Sequence, residues 1–346
     1  MNFFRYNKEF QLENGSSLPE IQIAYHTYGQ LNTKKTNVIW ICHAFTANSD
    51  ALDWWDGLVG ENKLFDVEKY FIVCANILGS CYGSTGPLSI NPLTGKGYYR
   101  DFPQISTRDL VNAHELLRKE LQITKIHTVI GGSVGGHQSI EWAIMKPEVI
   151  GNLILVATNA KFSPWGVAIS ESQRLAIEAD ATFFEDRPDG GQKGLKAARS
   201  IALLSYRNSK AYNTTQAEKD DNKTSNYRAS SYQQYQGEKL VNRFNAYSYY
   251  TISKALDSHN VGRNRGGIEN ALSLIIARTL IIGIDSDILF LPDEQKTMHK
   301  YIKGSELHMI ESDFGHDGFL IEYEKIQTII SNFYATKKKQ KNLIFY

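Results

Sequence analysis

The sequence predicts a doubly wound, mostly parallel α/β sheet interrupted by one helical insertion. Three observations carry that prediction. Short apolar runs alternate with helix-spaced segments through the first 160 residues, two further runs follow residue 274, and the stretch between them has helical spacing with no strand run. The core is therefore residues 1–160 and 274–346, and 161–273 is a helical cap. At 346 residues the chain has the length for one large core with such an insertion.

Taken in order, residues 3–12 and 19–27 alternate apolar and polar positions, which predicts an antiparallel hairpin at the sheet's edge. Val38 to Cys42 and Tyr70 to Cys74 run apolar without a break, as strands buried on both faces do. From Thr107 to Leu121, residues Leu110, Val111, Leu117 and Leu121 share one side behind Ser106-x-x-Asp109, the pattern of a capped crossover helix. Thr128 to Ile130 reads as the next strand, Gly135 to Lys146 as a helix ended by Pro147, and Leu153 to Val156 as a strand. The insertion is rich in Tyr, Asn, Gln and Ala, carries the charged turn Lys219 to Lys223, and is too long to be a structureless loop. A cover over the carboxyl ends of the strands, where open α/β sheets carry their sites, is the simplest arrangement. Thr279 to Ile284 and Glu306 to Ile310 complete the strands, and a helix around Tyr323 to Tyr334 closes the chain.

Composition narrows the function classes. Lys+Arg 38 against Asp+Glu 37 leaves a net charge of +1, so no nucleic-acid surface is expected, and small-molecule chemistry is. Met1 to Asn14 lacks a signal-peptide core and no segment is apolar for long enough to span a bilayer, which points to a cytoplasmic protein with no membrane partner. Cys42, Cys74 and Cys81 are an odd set without C-x-x-C spacing; they read as buried thiols, with neither a disulfide framework nor a metal site. The run Lys337-Lys338-Lys339-Gln340-Lys341 reads as a solvated tail.

The chemistry begins at Gly131-Gly132-Ser133-Val134-Gly135. A β-branched run breaking into Gly-x-Ser-x-Gly mounts a serine on a tight strand-to-helix turn, its hydroxyl exposed at the top of the sheet. A serine needs an imidazole to take its proton and a carboxylate to orient the imidazole. The strand Thr279 to Ile284 runs into Asp285-Ser286-Asp287, and the last strand runs into Ser312-Asp313-Phe314-Gly315-His316, so acid and base follow the serine in the order this turn requires. Spacing alone leaves Asp285 and Asp287 equal. His43, which precedes the turn in the chain, shapes its own loop in this reading. Oxyanion donors are expected at the backbone N–H groups of Val134 and Phe45. Phosphate-loop readings fail: Thr94-Gly95-Lys96-Gly97 lacks the hydroxyl after its lysine, and Ser133 stands where a dinucleotide fingerprint needs glycine.

With these residues stand Cys42-His43-Ala44-Phe45-Thr46, the run Asn76 to Pro87 containing Gly83-Ser84-Thr85-Gly86-Pro87, Ala198-Arg199 with Tyr206-Arg207, Arg243 to Tyr249, Ser286-Asp287-Ile288-Leu289-Phe290, and Gly315-His316-Asp317-Gly318. Through them the chain resembles, over nearly its whole length, the homoserine O-acetyltransferase family, a branch of the α/β-hydrolase fold. The resemblance implies Ser133 as nucleophile, His316 as general base and Asp287 as the orienting acid. It also implies Arg199, Tyr206 and Asp317 as the groups that hold the amino-acid acceptor. A guanidinium can fork onto its carboxylate and a carboxylate can take its ammonium. The implied reaction is ping-pong transfer of acetyl from acetyl-CoA, a co-substrate and not a bound cofactor, to L-homoserine, feeding methionine synthesis. Alternatives on the same scaffold are a homoserine or serine O-succinyltransferase and a serine esterase. Phe45 and Val134 replace the family's usual leucine and methionine, and Asn245 replaces an aspartate. The aromatic-rich cap leads us to expect a homodimer.

Overall fold

The long apolar runs become the middle of one sheet. The computed structural model describes the backbone of residues 1–343 and the side chains of residues 1–336; the side chains of the Lys337 to Lys341 run lie outside the described residues. The strands are β1 (Asn2–Tyr6), β2 (Phe10–Gln11), β3 (Ser17–Leu18), β4 (Ile21–Tyr28), β5 (Val38–Cys42), β6 (Phe71–Ala75), β7 (Ile126–Gly132), β8 (Ile150–Val156), β9 (Arg278–Ile284) and β10 (Glu306–Ile310). The large sheet has the order β1-β4-β6-β5-β7-β8-β9-β10, with every ladder from β6 to β10 parallel.

At the edge the alternating residues divide in two. β1 pairs antiparallel with β4, Asn2 opposite Tyr25 and Tyr6 opposite Ile21, while β2 and β3 form a separate small ladder. β4 then pairs antiparallel with β6. Two strands depart from their expected bounds for local reasons. Tyr70 falls outside β6 because its N–H is held by the Asp66 carbonyl in the preceding turn. β7 extends through Gly131 and Gly132, whose lack of side chains hides a strand from an apolar count, yet they pair with Leu155 and Val156.

Twelve helices are described: α1 (Ala51–Trp54), α2 (Thr107–Glu120), α3 (Val134–Met145), α4 (Pro164–Glu178), α5 (Gln192–Tyr206), α6 (Ser209–Thr215), α7 (Arg228–Val241), α8 (Ala246–Asp257), α9 (Ile268–Ser273), α10 (Pro292–Tyr301), α11 (Gly318–Ile321) and α12 (Tyr323–Leu343). Successive strand residues face opposite layers. Trp40, Val73, Val129 and Leu155 pack with Leu110 and Trp142 of α2 and α3, whereas Ile39, Ile41, Ile130 and Ile282 pack with Ile326, Ile330 and Phe333 of α12. The Ser106 cap of α2 is a full capping box, its side chain accepting from the Asp109 N–H while the Asp109 carboxylate accepts from the Ser106 N–H.

Between β8 and β9 the chain makes only helices, with α5 packed against both α4 and α7. The insertion has a tied neck: Phe162 N–H donates to the His259 carbonyl and Val261 N–H to the Ala160 carbonyl, both at 3.0 Å. Beyond the neck, Arg265 forks onto Glu141 of α3, a buried carboxylate that Arg108 also reaches at 3.1 Å. Cys42 and Cys74 are buried, but Cys81 is only partly so. It lies on a loop beneath the helical insertion, with its Sγ 3.6 Å from the Arg243 carbonyl, so the expectation of three buried thiols is corrected there. Among the described residues no helix is long and apolar enough to cross a membrane, and no metal-holding cluster of His, Cys, Asp and Glu occurs.

Candidate active site

Ser133 stands between β7 and α3 at φ 55°, ψ −125°, a conformation disfavoured for a side-chain-bearing residue and held by its surroundings. Its N–H donates to the Val156 carbonyl at 3.0 Å, and its own carbonyl accepts from the Gly136 N–H at 2.9 Å. The glycines of the turn answer a need for contact. A Cβ on Gly135 would lie 2.0 Å from the Cys42 carbonyl oxygen, and one on Gly136 would lie 2.5 Å from the Thr158 side chain. Helix α3 can therefore start directly behind β5 and β8 only with both positions bare.

The structure brings Ser133, His316 and Asp287 into one line. His316 Nε2 is 2.9 Å from Ser133 Oγ, and His316 Nδ1 is 2.6 Å from Asp287 Oδ2. Asp287 Oδ1 accepts from the Leu289 and Phe290 N–H groups at 2.8 and 2.9 Å, which aims Oδ2 at the imidazole. With Nδ1–H committed to the carboxylate, Nε2 is left as the acceptor facing the hydroxyl. The ring is walled by Phe290, Phe319 and Tyr206 at centroid distances of 5.0, 5.3 and 5.9 Å, and all three members are buried. Asp285 goes elsewhere: its Oδ1 accepts from the Ser312 N–H at 2.9 Å and fastens the loop that carries His316.

His43 shapes the neighbouring loop. Its Nε2 accepts from the Ile77 N–H at 3.1 Å and its Nδ1 donates to the Ala44 carbonyl at 2.8 Å, with burial pushing its pKa down to about 4. It is thus a neutral spacer beneath Phe45. The N–H groups of Phe45 and Val134 find no acceptor among the described residues, as donors reserved for a ligand oxygen would.

Arg199, Tyr206 and Asp317 line the same cavity as Ser133 and His316, about 260 Å³ between the Phe45 loop and the insertion. The Arg199 guanidinium lies 5.5 Å from the centre of the Tyr206 ring, and its buried Nε has no hydrogen-bond partner among the described residues. Burial raises the Tyr206 phenol, with Arg199 opposing, so its O–H remains a donor. Asp317 receives the Arg207 Nε on Oδ2 at 2.8 Å. Two residues without an assigned part in the sequence reading belong here. Arg207 fixes Asp317, and Arg243 reaches from the insertion to the Thr46 carbonyl and, at 2.7 Å, to the Tyr82 hydroxyl, strapping the Phe45 loop from above. Their signal was their membership of the Tyr206-Arg207 and Arg243 to Tyr249 segments; their partners sit more than a hundred residues away in the chain. Asn245, standing for an aspartate, caps α8 by accepting the Ser248 N–H at 2.8 Å, a task an amide oxygen does as well as a carboxylate.

The family model of the alpha/beta hydrolase fold matches residues 37–323. The chain is 51% identical to a homoserine O-acetyltransferase of Cyclobacterium marinum over 331 residues, 96% of this chain and 94% of that one. Its structure is similar to that of homoserine O-acetyltransferase from Bacillus anthracis (TM-score 0.89, 28% identity, 96% of each chain). It is also similar to that of esterase E22 (TM-score 0.87, 25% identity, covering 96% of this chain and 98% of that one).

Proposed function

The chain belongs to the homoserine O-acetyltransferase family of the α/β-hydrolase fold, and we propose that it transfers acetyl from acetyl-CoA to the hydroxyl of L-homoserine through an acetyl-Ser133 intermediate. The observation that carries the reading is the unbroken relay from Asp287 through His316 to Ser133, opening into a cavity lined by Arg199, Tyr206 and Asp317.

In the first half, His316 Nε2 takes the hydroxyl proton as Ser133 Oγ bonds to the thioester carbon. The Phe45 and Val134 N–H groups face the resulting oxyanion. The carbonyl re-forms, the carbon–sulfur bond breaks, and the proton on Nε2 leaves with the thiol of coenzyme A. In the second half, His316 takes the proton of the homoserine hydroxyl, whose oxygen attacks the acetyl carbon. Ser133 Oγ leaves and recovers the proton, giving O-acetyl-L-homoserine, an intermediate for methionine synthesis. Asp287 stays charged throughout and stabilises the imidazolium in each half.

Arg199, with its unpartnered buried Nε, suits the acceptor's carboxylate, and Asp317, whose Oδ1 is left over by Arg207, suits its ammonium. Residues 161–273 act as the cap, narrowing the approach so that the held hydroxyl outcompetes water for the acyl-enzyme. Acetyl over succinyl, homoserine over serine, a cytoplasmic site of action and a homodimer complete the reading.

The test is a mass measurement of the protein after exposure to acetyl-CoA or succinyl-CoA, followed by addition of homoserine or serine. A single acetyl adduct that homoserine discharges is the expected result, and Ser133→Ala abolishes both adduct and turnover. An adduct that water discharges at a rate indifferent to homoserine would make the protein an esterase. Substantial turnover by Ser133→Ala would remove the serine from the reaction.

A further inference from the structure

The end of β8 brackets the nucleophile from two sides. Val156, the last residue of the strand, accepts the Ser133 N–H. Ala157 then adopts φ 45°, the left-handed region unusual for a residue with a Cβ, while its N–H is held by the Ile282 carbonyl at 2.8 Å. That turn carries the next side chain under the elbow. The Thr158 hydroxyl donates to the Ser133 carbonyl at 2.8 Å, in a fully buried position against Gly136, where even one added methyl group would collide with it.

The Ser133 carbonyl matters because of what shares its peptide plane. In a trans peptide the C=O and the following N–H point in opposite directions, so whatever fixes the Ser133 oxygen also fixes the direction of the Val134 N–H. That oxygen accepts three hydrogen bonds, from the Gly136 and His137 N–H groups at 2.9 and 3.3 Å and from Thr158. Two belong to the helix backbone. Only the third is made by a side chain, and only it lies outside α3. Thr158 is itself held, its carbonyl accepting from the buried Gln295 side chain at 2.7 Å, a residue of the helix that follows the Asp287 loop.

We propose that Thr158 is a positioning residue for acyl transfer: its hydroxyl locks the Ser133–Val134 peptide plane so that the Val134 N–H faces the developing oxyanion. Donation to a carbonyl also polarises that amide and strengthens its N–H as a donor. The inference rests on the reading of Ser133 as nucleophile and Val134 as oxyanion donor. Thr158 is fully buried and lines no part of the cavity, so its loss is felt in rate and not in binding.

The experiment compares Thr158→Val, which keeps the shape and removes the hydroxyl, with Thr158→Ser, which restores it. Rapid mixing measures coenzyme A release and acetyl transfer to homoserine separately. Removing a direct oxyanion donor costs roughly 10²–10³ in rate, so misaiming one is expected to cost about tenfold. Thr158→Val should slow both steps by that common factor with KM for homoserine unchanged, and Thr158→Ser should recover most of it. Where Thr158→Val does not fold, Thr158→Ala takes its place with the same expectation. Wild-type rates in the hydroxyl-free variant, a loss confined to one step, or equal loss in the serine variant would overturn the inference. An inert Ser133→Ala beside a fully active Thr158→Val would sink this proposal alone, whereas an active Ser133→Ala would sink the reading beneath it.

Discussion

Asp285 and Asp287 follow the same strand two residues apart, and the sequence pattern could not rank them. Resemblance chose Asp287, and the reason is geometric: Asp287 accepts from its own loop with one oxygen and faces His316 with the other, while Asp285 is consumed by the Ser312 N–H. The two carboxylates should therefore respond differently to the same edit. Asp287→Asn is expected to lower kcat by roughly three to four orders of magnitude, since an amide there favours the wrong imidazole tautomer. Asp285→Asn keeps an acceptor oxygen for Ser312 and should lose less than about tenfold. Steady-state kinetics of both variants check this, and comparable losses would reverse the assignment. At this scale the chemistry-bearing types were legible because serine, acid and histidine each follow a strand. Arg243, Arg207 and Thr158 were not, because what makes them matter is a partner that only tertiary folding supplies.

The elements followed the local signals wherever those signals were dense. β5 and β10 run over the residues expected, and α2 begins at its capping box. The glycine-rich end of β7 was invisible because pairing, not side-chain burial, makes it a strand. Ser106→Ala removes half of the capping box on α2, and the substitution is expected to cost about 1 kcal/mol in unfolding free energy. Turnover should be unchanged, since α2 lines no part of the cavity that holds Ser133 and His316. Denaturation and kcat on the same preparation measure both, and a fall in kcat without loss of stability would contradict the assignment.

On the scale of the whole molecule, four of the described histidines outside the relay, His43, His114, His137 and His259, are fully buried and neutral. Burial pushes His43 and His114 down to about 4 and His137 to about 3, and holds His259 well below its usual value. The unfolded chain binds these protons near pH 6.5 and the folded one does not, so the stability they confer is complete above about pH 7 and is lost as the pH falls toward 4. His43, His114 and His137 each cost on the order of 2 kcal/mol at pH 5, against a total stability of about 5–15 kcal/mol, and His259 adds to that loss in the same direction. The urea midpoint should fall steeply from pH 7.5 to pH 5; a flat profile would show that these rings accept protons while folded. Burial of this kind is set by the sheet and its layers, and no sequence pattern separates such a histidine from an exposed one. The topology also bears on synthesis. The relay joins residues 183 positions apart, with the whole insertion between them. A growing polypeptide thus displays Ser133 long before His316 exists to face it, so on the proposed mechanism it would stay inert toward thioesters on the ribosome until β9 and β10 had been made and docked beside β8.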